Sequence, residues 1–216
     1  MMRKTLKTMS FGIFLILSFQ LILFAQQSKI KSYQELKFTS IDKQVNEYTC
    51  GAAALSTIFN YFYNSTENQI DIFQTVIGKE EEIGLTFLDM KNYSVSKGFN
   101  AIAYKMKYSD LVEQLQKENI PLILHLNVPT RYKELKHFSV GIGVIGNYII
   151  LDDSAKGIWV LSENEFISIW TGFVLIVRPK ENNREEREKS HETIQKQKKA
   201  VFQNLARFYT YEKTIY

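Results

Sequence analysis

Gln44-Val-Asn-Glu-Tyr-Thr-Cys50-Gly-Ala-Ala-Ala-Leu55 runs straight into Ser56-Thr-Ile-Phe-Asn-Tyr-Phe62, and the reading of this stretch decides the fold. Ala54, Ile58 and Tyr61 or Phe62 fall at steps of three and four, which predicts a helix from Cys50 to about Tyr63 with Cys50 in its first turn. A sulfur at that place lies near unpaired N–H groups and the positive end of the helix dipole, both of which favour thiolate. Gly51 and the alanines after it would let a substrate backbone approach. A lone cysteine in an apolar helix is by itself more often a small buried hydrophobe, so a nucleophile needs partners elsewhere in the chain.

Downstream, Asn64-Ser-Thr-Glu-Asn68 breaks the helix, and Gln69 to Ile77 predicts a second one before Gly78. A third is expected from Thr86 to Lys97, with Thr86 as N-cap and Gly98 in a left-handed terminal position. The period then changes to two. Phe99 to Met106 reads as a strand, and Ser109 caps a helix through Lys117. Strands follow at Pro121–Leu126, His137–Ile145, Tyr148–Leu151, Ile158–Leu161 and Phe173–Val177, with a short helix at Glu163–Trp170. Helices first and a mostly antiparallel sheet second predict an α+β architecture of two halves packed together.

The strand pattern separates the three histidines. His137 alternates with Ser139, Gly141 and Gly143 on one face, while Phe138, Val140, Ile142 and Val144 point into a core. A helix carrying Cys50 lying against those small residues would bring sulfur and imidazole together. His125 has bulky neighbours and reads as structural, and His191 lies in a charged tail. The strand after His137 turns at Gly146-Asn147 and returns to Asp152-Asp153, where a carboxylate would accept the imidazole N–H and stabilise its charge. Cys, His and Asp in that chain order, on a helix and two neighbouring strands, form the papain arrangement of a thiol peptidase.

The chain ends differ from the body. Met1 to Ala25 has a basic start and then an apolar run of secretory type, predicting export to the periplasm or envelope with the signal cleaved or kept as a membrane anchor. Residues 26–42 are expected to be a linker, 43–178 the catalytic domain and 179–216 a charged helical tail able to dock on the body or a partner. The single cysteine forms no internal disulfide, so the fold rests on its core. From Arg178 on there are ten basic against six acidic residues, whereas residues 26–177 carry fourteen against seventeen, so the body offers no basic face for nucleic acid. No metal-ligand cluster stands out, and no cofactor is expected.

Three pieces together resemble the peptidases that remove bacteriocin leaders after a double glycine. Gln44 stands six residues before a Cys50-Gly-x-Ala-x-Leu helix start; His137 opens an apolar strand; and Asp153-Ser-Ala-Lys-Gly157, with Trp170-Thr-Gly172 beyond it, is similar to the family's Asp-Pro-Ala-x-Gly turn and the elements after that turn. The resemblance implies a papain-like fold, Cys50 as nucleophile, His137 as base, Asp153 rather than Asp152 as its orienting group, and Gln44 in the oxyanion hole. It also implies a peptide or protein substrate with a Gly-Gly-like cleavage site. Thr49 and Ser154 depart from the acidic residue and the proline usual there. Two alternatives share the motif: a non-catalytic peptide-binding relative, and a thiol amidase or acyltransferase.

Overall fold

Capping chemistry sets the boundaries of the helices that precede the sheet. In the computed structural model, which describes residues 32–77, 84–118 and 120–180 and the single positions 188, 192, 195, 196, 199, 202 and 203, the hydroxyl of Thr86 accepts from the Asp89 N–H while the Asp89 carboxylate accepts from the Thr86 N–H. This reciprocal box starts one helix, and Gly98 at φ +88° ends it. Ser162 and Glu165 form a second such box. Ser109 caps nothing: the helix there begins at Tyr108, after Lys107.

The elements in chain order are α1 (Tyr33–Lys37), α2 (Cys50–Thr57, continued by a π-helical turn Ile58–Phe62), α3 (Gln69–Ile77), α4 (Phe87–Ser96), β1 (Phe99–Lys105), α5 (Tyr108–Glu113, continued by a π-helical turn Gln114–Glu118), β2 (Leu122–Pro129), β3 (Glu134–Ile145), β4 (Tyr148–Asp153), β5 (Gly157–Ser162), α6 (Glu163–Ile169) and β6 (Trp170–Pro179). The six strands form one antiparallel sheet in the order β1-β6-β2-β3-β4-β5.

The sheet is buried on both faces. Leu55, Ile58, Phe59, Phe62, Ile72 and Met90 of α2 to α4 cover Ile123, Val140, Ile142, Ile150 and Val177. On the other side Leu111, Leu115 and Phe166 cover Leu122, Leu124, Leu126, Leu151 and Ile176. The α+β expectation holds, with the helices divided between two layers instead of gathered in one half. The unbroken apolar run Leu122-Ile-Leu in β2 is the sequence sign of a strand covered on both faces.

Two expectations need correction. First, α2 packs on the Val140 and Ile142 face, not on the small residues, because Gly141 is already filled from the other side by Leu124 and Leu115. Second, the segment expected to be a linker joins the domain from Tyr33 on. Ile41 is buried, Phe38 packs on the core, and the Lys37 carbonyl lies where a side chain at Gly157 would stand, 2.5 Å from an ideal Cβ. In the segment expected as a tail, Phe202 packs on the α2-side core and fills the space left by Gly143, where a Cβ would lie 2.8 Å from its Cζ. The expected export segment lies outside the described residues.

Candidate active site

Cys50 opens α2, buried itself but lining an open cleft of about 760 Å³. The turn before it is knotted by Thr49, whose buried hydroxyl accepts from the Val45 and Asn46 N–H groups at 3.0 and 3.2 Å and donates to the Asn46 carbonyl at 3.1 Å. Threonine thus does an acceptor's work at the position where an acidic residue is usual in the resembling family. Gly51 comes next in tight packing: a Cβ would lie 3.3 Å from Leu85 and Phe138 and 3.4 Å from Met90, so these side chains would have to give slightly.

His137 lies near the start of β3, buried, and its Nε2 is 2.8 Å from Oδ2 of Asp153 at the end of β4. Burial disfavours the charged imidazole, but the hydrogen bond to Asp153 and the proximity of Cys50 outweigh it and raise His137 to about 9. Nδ1 is the ring nitrogen left for Cys50. Burial likewise opposes ionisation of Asp153, yet His137 and the backbone N–H groups of Lys156 and Ala155 hold its pKa below the ordinary carboxylate value. Those two amides donate to Oδ1 at 2.8 and 3.0 Å, so each carboxylate oxygen has its own task.

The adjacent acid behaves oppositely. Asp152 stands opposite Val140 and Ile158 in the register, and alternation along β4 turns it away from Asp153, which reaches His137. Both Asp152 oxygens are buried without a hydrogen-bond partner among the described residues. Burial and the charge of Asp153 hold its pKa well above the carboxylate range. Of the two adjacent acids, Asp153 is thus the one brought to His137.

Gln44 is tied to the same corner. Its N–H donates to the Ser154 carbonyl at 3.1 Å, its Oε1 accepts from the Ser154 hydroxyl at 2.8 Å, and its Nε2 donates to the Asn46 carbonyl at 3.0 Å. One N–H of the amide is left for another acceptor. The serine standing in place of a proline therefore fixes which end of the glutamine amide is the donor, a role no sequence spacing signals. His125, read as structural, instead lines the cleft with Cys50, Phe87 and Phe138. Among the described residues there is no group of acidic, histidine and cysteine side chains able to hold a metal.

A sulfur at a helix start, a buried imidazole–carboxylate pair and a restrained amide donor are the parts of thiol acyl-transfer chemistry. Residues 39–182 match the model of the peptidase C39 family. A probable functional amyloid protease, FapD, of Pseudomonas aeruginosa is 30% identical over 154 residues, 69% of this chain and 65% of that protein, so this chain spans just under two thirds of the relative's length. The double glycine motif protease of an AMS/PCAT transporter, solved with a leader peptide, is 27% identical with a TM-score of 0.52 over 64% of this chain and 90% of its own. The peptidase domain of Streptococcus ComA has the same fold at 21% identity, TM-score 0.54, over 65% of this chain and 98% of its own. No helix among the described residues is long and apolar enough to cross a membrane. Matched over two thirds of its length by the family model and sharing the papain-like α+β fold of these peptidase domains, the chain belongs to the peptidase C39 family.

Proposed function

We propose that the chain is an exported cysteine endopeptidase of processing type, which cuts secreted peptides or proteins after a Gly-Gly-like site. Cys50 attacks the scissile carbonyl, His137 takes and returns the proton through Nδ1, Asp153 holds the imidazole through Nε2, and Gln44 donates to the oxyanion. The observation that carries the reading is the buried 2.8 Å pair of His137 and Asp153 beside a cysteine that lines an open cleft. Membership of a peptidase family supports the reaction type. The names of relatives support the substrate class: a functional amyloid protease on one side and a double glycine motif protease bound to a leader peptide on the other. A secreted amyloid subunit with a glycine-rich processing site fits both. Residues 1–25 supply the route out of the cytoplasm, and the tail supplies a second contact for a protein substrate.

Iodoacetamide tests the site without a known substrate. Cys50 in the wild type should alkylate markedly faster at pH 6 to 7 than in His137→Ala. Equal rates over that range would remove His137 from the site and sink the reading. Fractionation of cells tests export, and full-length soluble protein in the cytoplasm would refute it.

A further inference from the structure

One histidine of the cleft wall has no part in the triad. His125 lies in β2 where the ladder to β6 is irregular: Leu124 pairs with Val174 and Leu126 with Trp170, and His125 has no register partner on β6. Thr171 fills the break. Its hydroxyl donates to the His125 carbonyl at 3.0 Å, and the same oxygen lies 3.0 Å from His125 Nδ1. The carbonyl can only accept, so the hydroxyl proton is used there, and Nδ1 must carry a proton to make the second contact attractive. A neutral imidazole protonated on Nδ1 is bare on Nε2. Burial, Lys136 and the nearby charged His137 all hold His125 in that neutral form. Nε2 meets no hydrogen-bond donor of the protein among the described residues.

The surroundings say what this lone pair is for. His125 lines the cleft shared with Cys50, its ring centroid 6.2 Å from that of Phe87 and 5.2 Å from that of Phe138. A peptide laid between aromatic walls loses water from its backbone N–H groups, and each must then find an acceptor. Glycines bring no side-chain acceptor of their own. We infer that His125 is a substrate-binding residue, whose Nε2 accepts a hydrogen bond from one backbone N–H of the peptide bound beside Cys50. Thr171, by fixing the tautomer, is its positioning residue. The inference rests on the peptidase reading for the peptide but on β2 and β6 for the acceptor.

Two measurements on the full chain test it. With 15N-labelled histidine, the His125 signals are those missing in His125→Phe. At pH 7.5 Nδ1 should be protonated and Nε2 bare, and the Nε2 signal should move when the peptide aldehyde acetyl-Leu-Ala-Gly-glycinal is added as a Cys50-directed probe. A proton found on Nε2, or an Nε2 signal unmoved in the bound complex, overturns the inference. The second measurement compares the aldehyde with analogues N-methylated at one backbone nitrogen each. One position should weaken binding to the wild type by about 5- to 150-fold, the range for leaving a buried acceptor unpaired, and that penalty should shrink to a few-fold in His125→Phe. Equal penalties in both proteins at every position overturn it. The peptidase reading fails on a different measurement, the His137 dependence of Cys50 alkylation, so the two failures are distinguishable.

Discussion

Replacing Asp153 by Asn is a narrow perturbation, because the two carboxylate oxygens have separate partners. Oδ1, which accepts from Ala155 and Lys156, survives in the amide. Oδ2, 2.8 Å from His137 Nε2, becomes an NH2 that donates where it formerly accepted, so the proton of a neutral imidazole is driven to Nδ1, the nitrogen needed for Cys50. Turnover should fall by on the order of 10⁴-fold, as for the same exchange in a Ser-His-Asp triad. The structure also sets a magnitude for stability. A rise in His137 from 6.5 to about 9 corresponds to about 3 kcal/mol in favour of the charged ring in the folded state, an order-of-magnitude figure. Because the folded value lies above the unfolded one, this contribution is complete below pH 6.5 and is lost as the pH rises through about 9. Asp153 is shifted downward, so its share exists only above the ordinary 3.8 and is lost as the pH falls below it. The unfolding free energy of Asp153→Asn should therefore fall furthest below wild type between about pH 4 and 6.5, and the curves should converge towards pH 10. Urea unfolding across that range, with cleavage of a fluorogenic acetyl-Leu-Ala-Gly-Gly amide, measures both. A gap that stays constant from pH 5 to 10 would refute the electrostatic account. Loss of cleavage in Asp152→Asn but not in Asp153→Asn would refute the assignment itself.

Contacts at the margins of the site set two further outcomes. Gln44→Ala should lower kcat by about 10²–10³, the cost of one oxyanion donor, and Ser154→Ala should lower it several-fold by freeing the amide; unchanged kcat in both would remove Gln44 from the oxyanion hole. Gly143→Ala puts a methyl 2.8 Å from Phe202 and should cost about 1–3 kcal/mol of stability, recovered in part by Phe202→Ala; no loss in the single variant would mean that the tail leaves the body in solution.

Sequence periodicity made most of the element order legible because it reports burial, and here burial follows the strands and helices closely. The bounds of α3 and the cap at Thr86 were readable for local reasons: Gly78 follows one helix and an Asp stands three residues after the other's N-cap. Which sheet face α2 covers was not legible. Small residues at Ser139 and Gly141 look like a bed for a helix, but the same pattern arises when Leu124 and Leu115 fill the space from behind. The choice between Asp152 and Asp153 came from resemblance, since strand alternation across a hairpin with an irregular register between Gly141 and Gly143 defeats counting from sequence. The involvement of Ser154 and His125 was hidden because both depend on bonds across large gaps in the chain, Gln44 to Ser154 and His125 to Thr171. α1 was missed because five residues with none buried give no periodic signal.

The bond from Ser154 to Gln44 closes a loop of 110 residues, and His137 comes 87 positions after Cys50 in the chain. The histidine and the aspartate of the proposed triad are therefore absent until β3, β4 and the turn after them have joined the sheet, and such long-range pairings form late and together. A chain emerging in extended form carries a thiol but no base, no orienting carboxylate and no restrained amide. Under the proposed assignment proteolytic competence is thus the last property acquired on folding, so that an incompletely folded chain cannot cut its neighbours or itself.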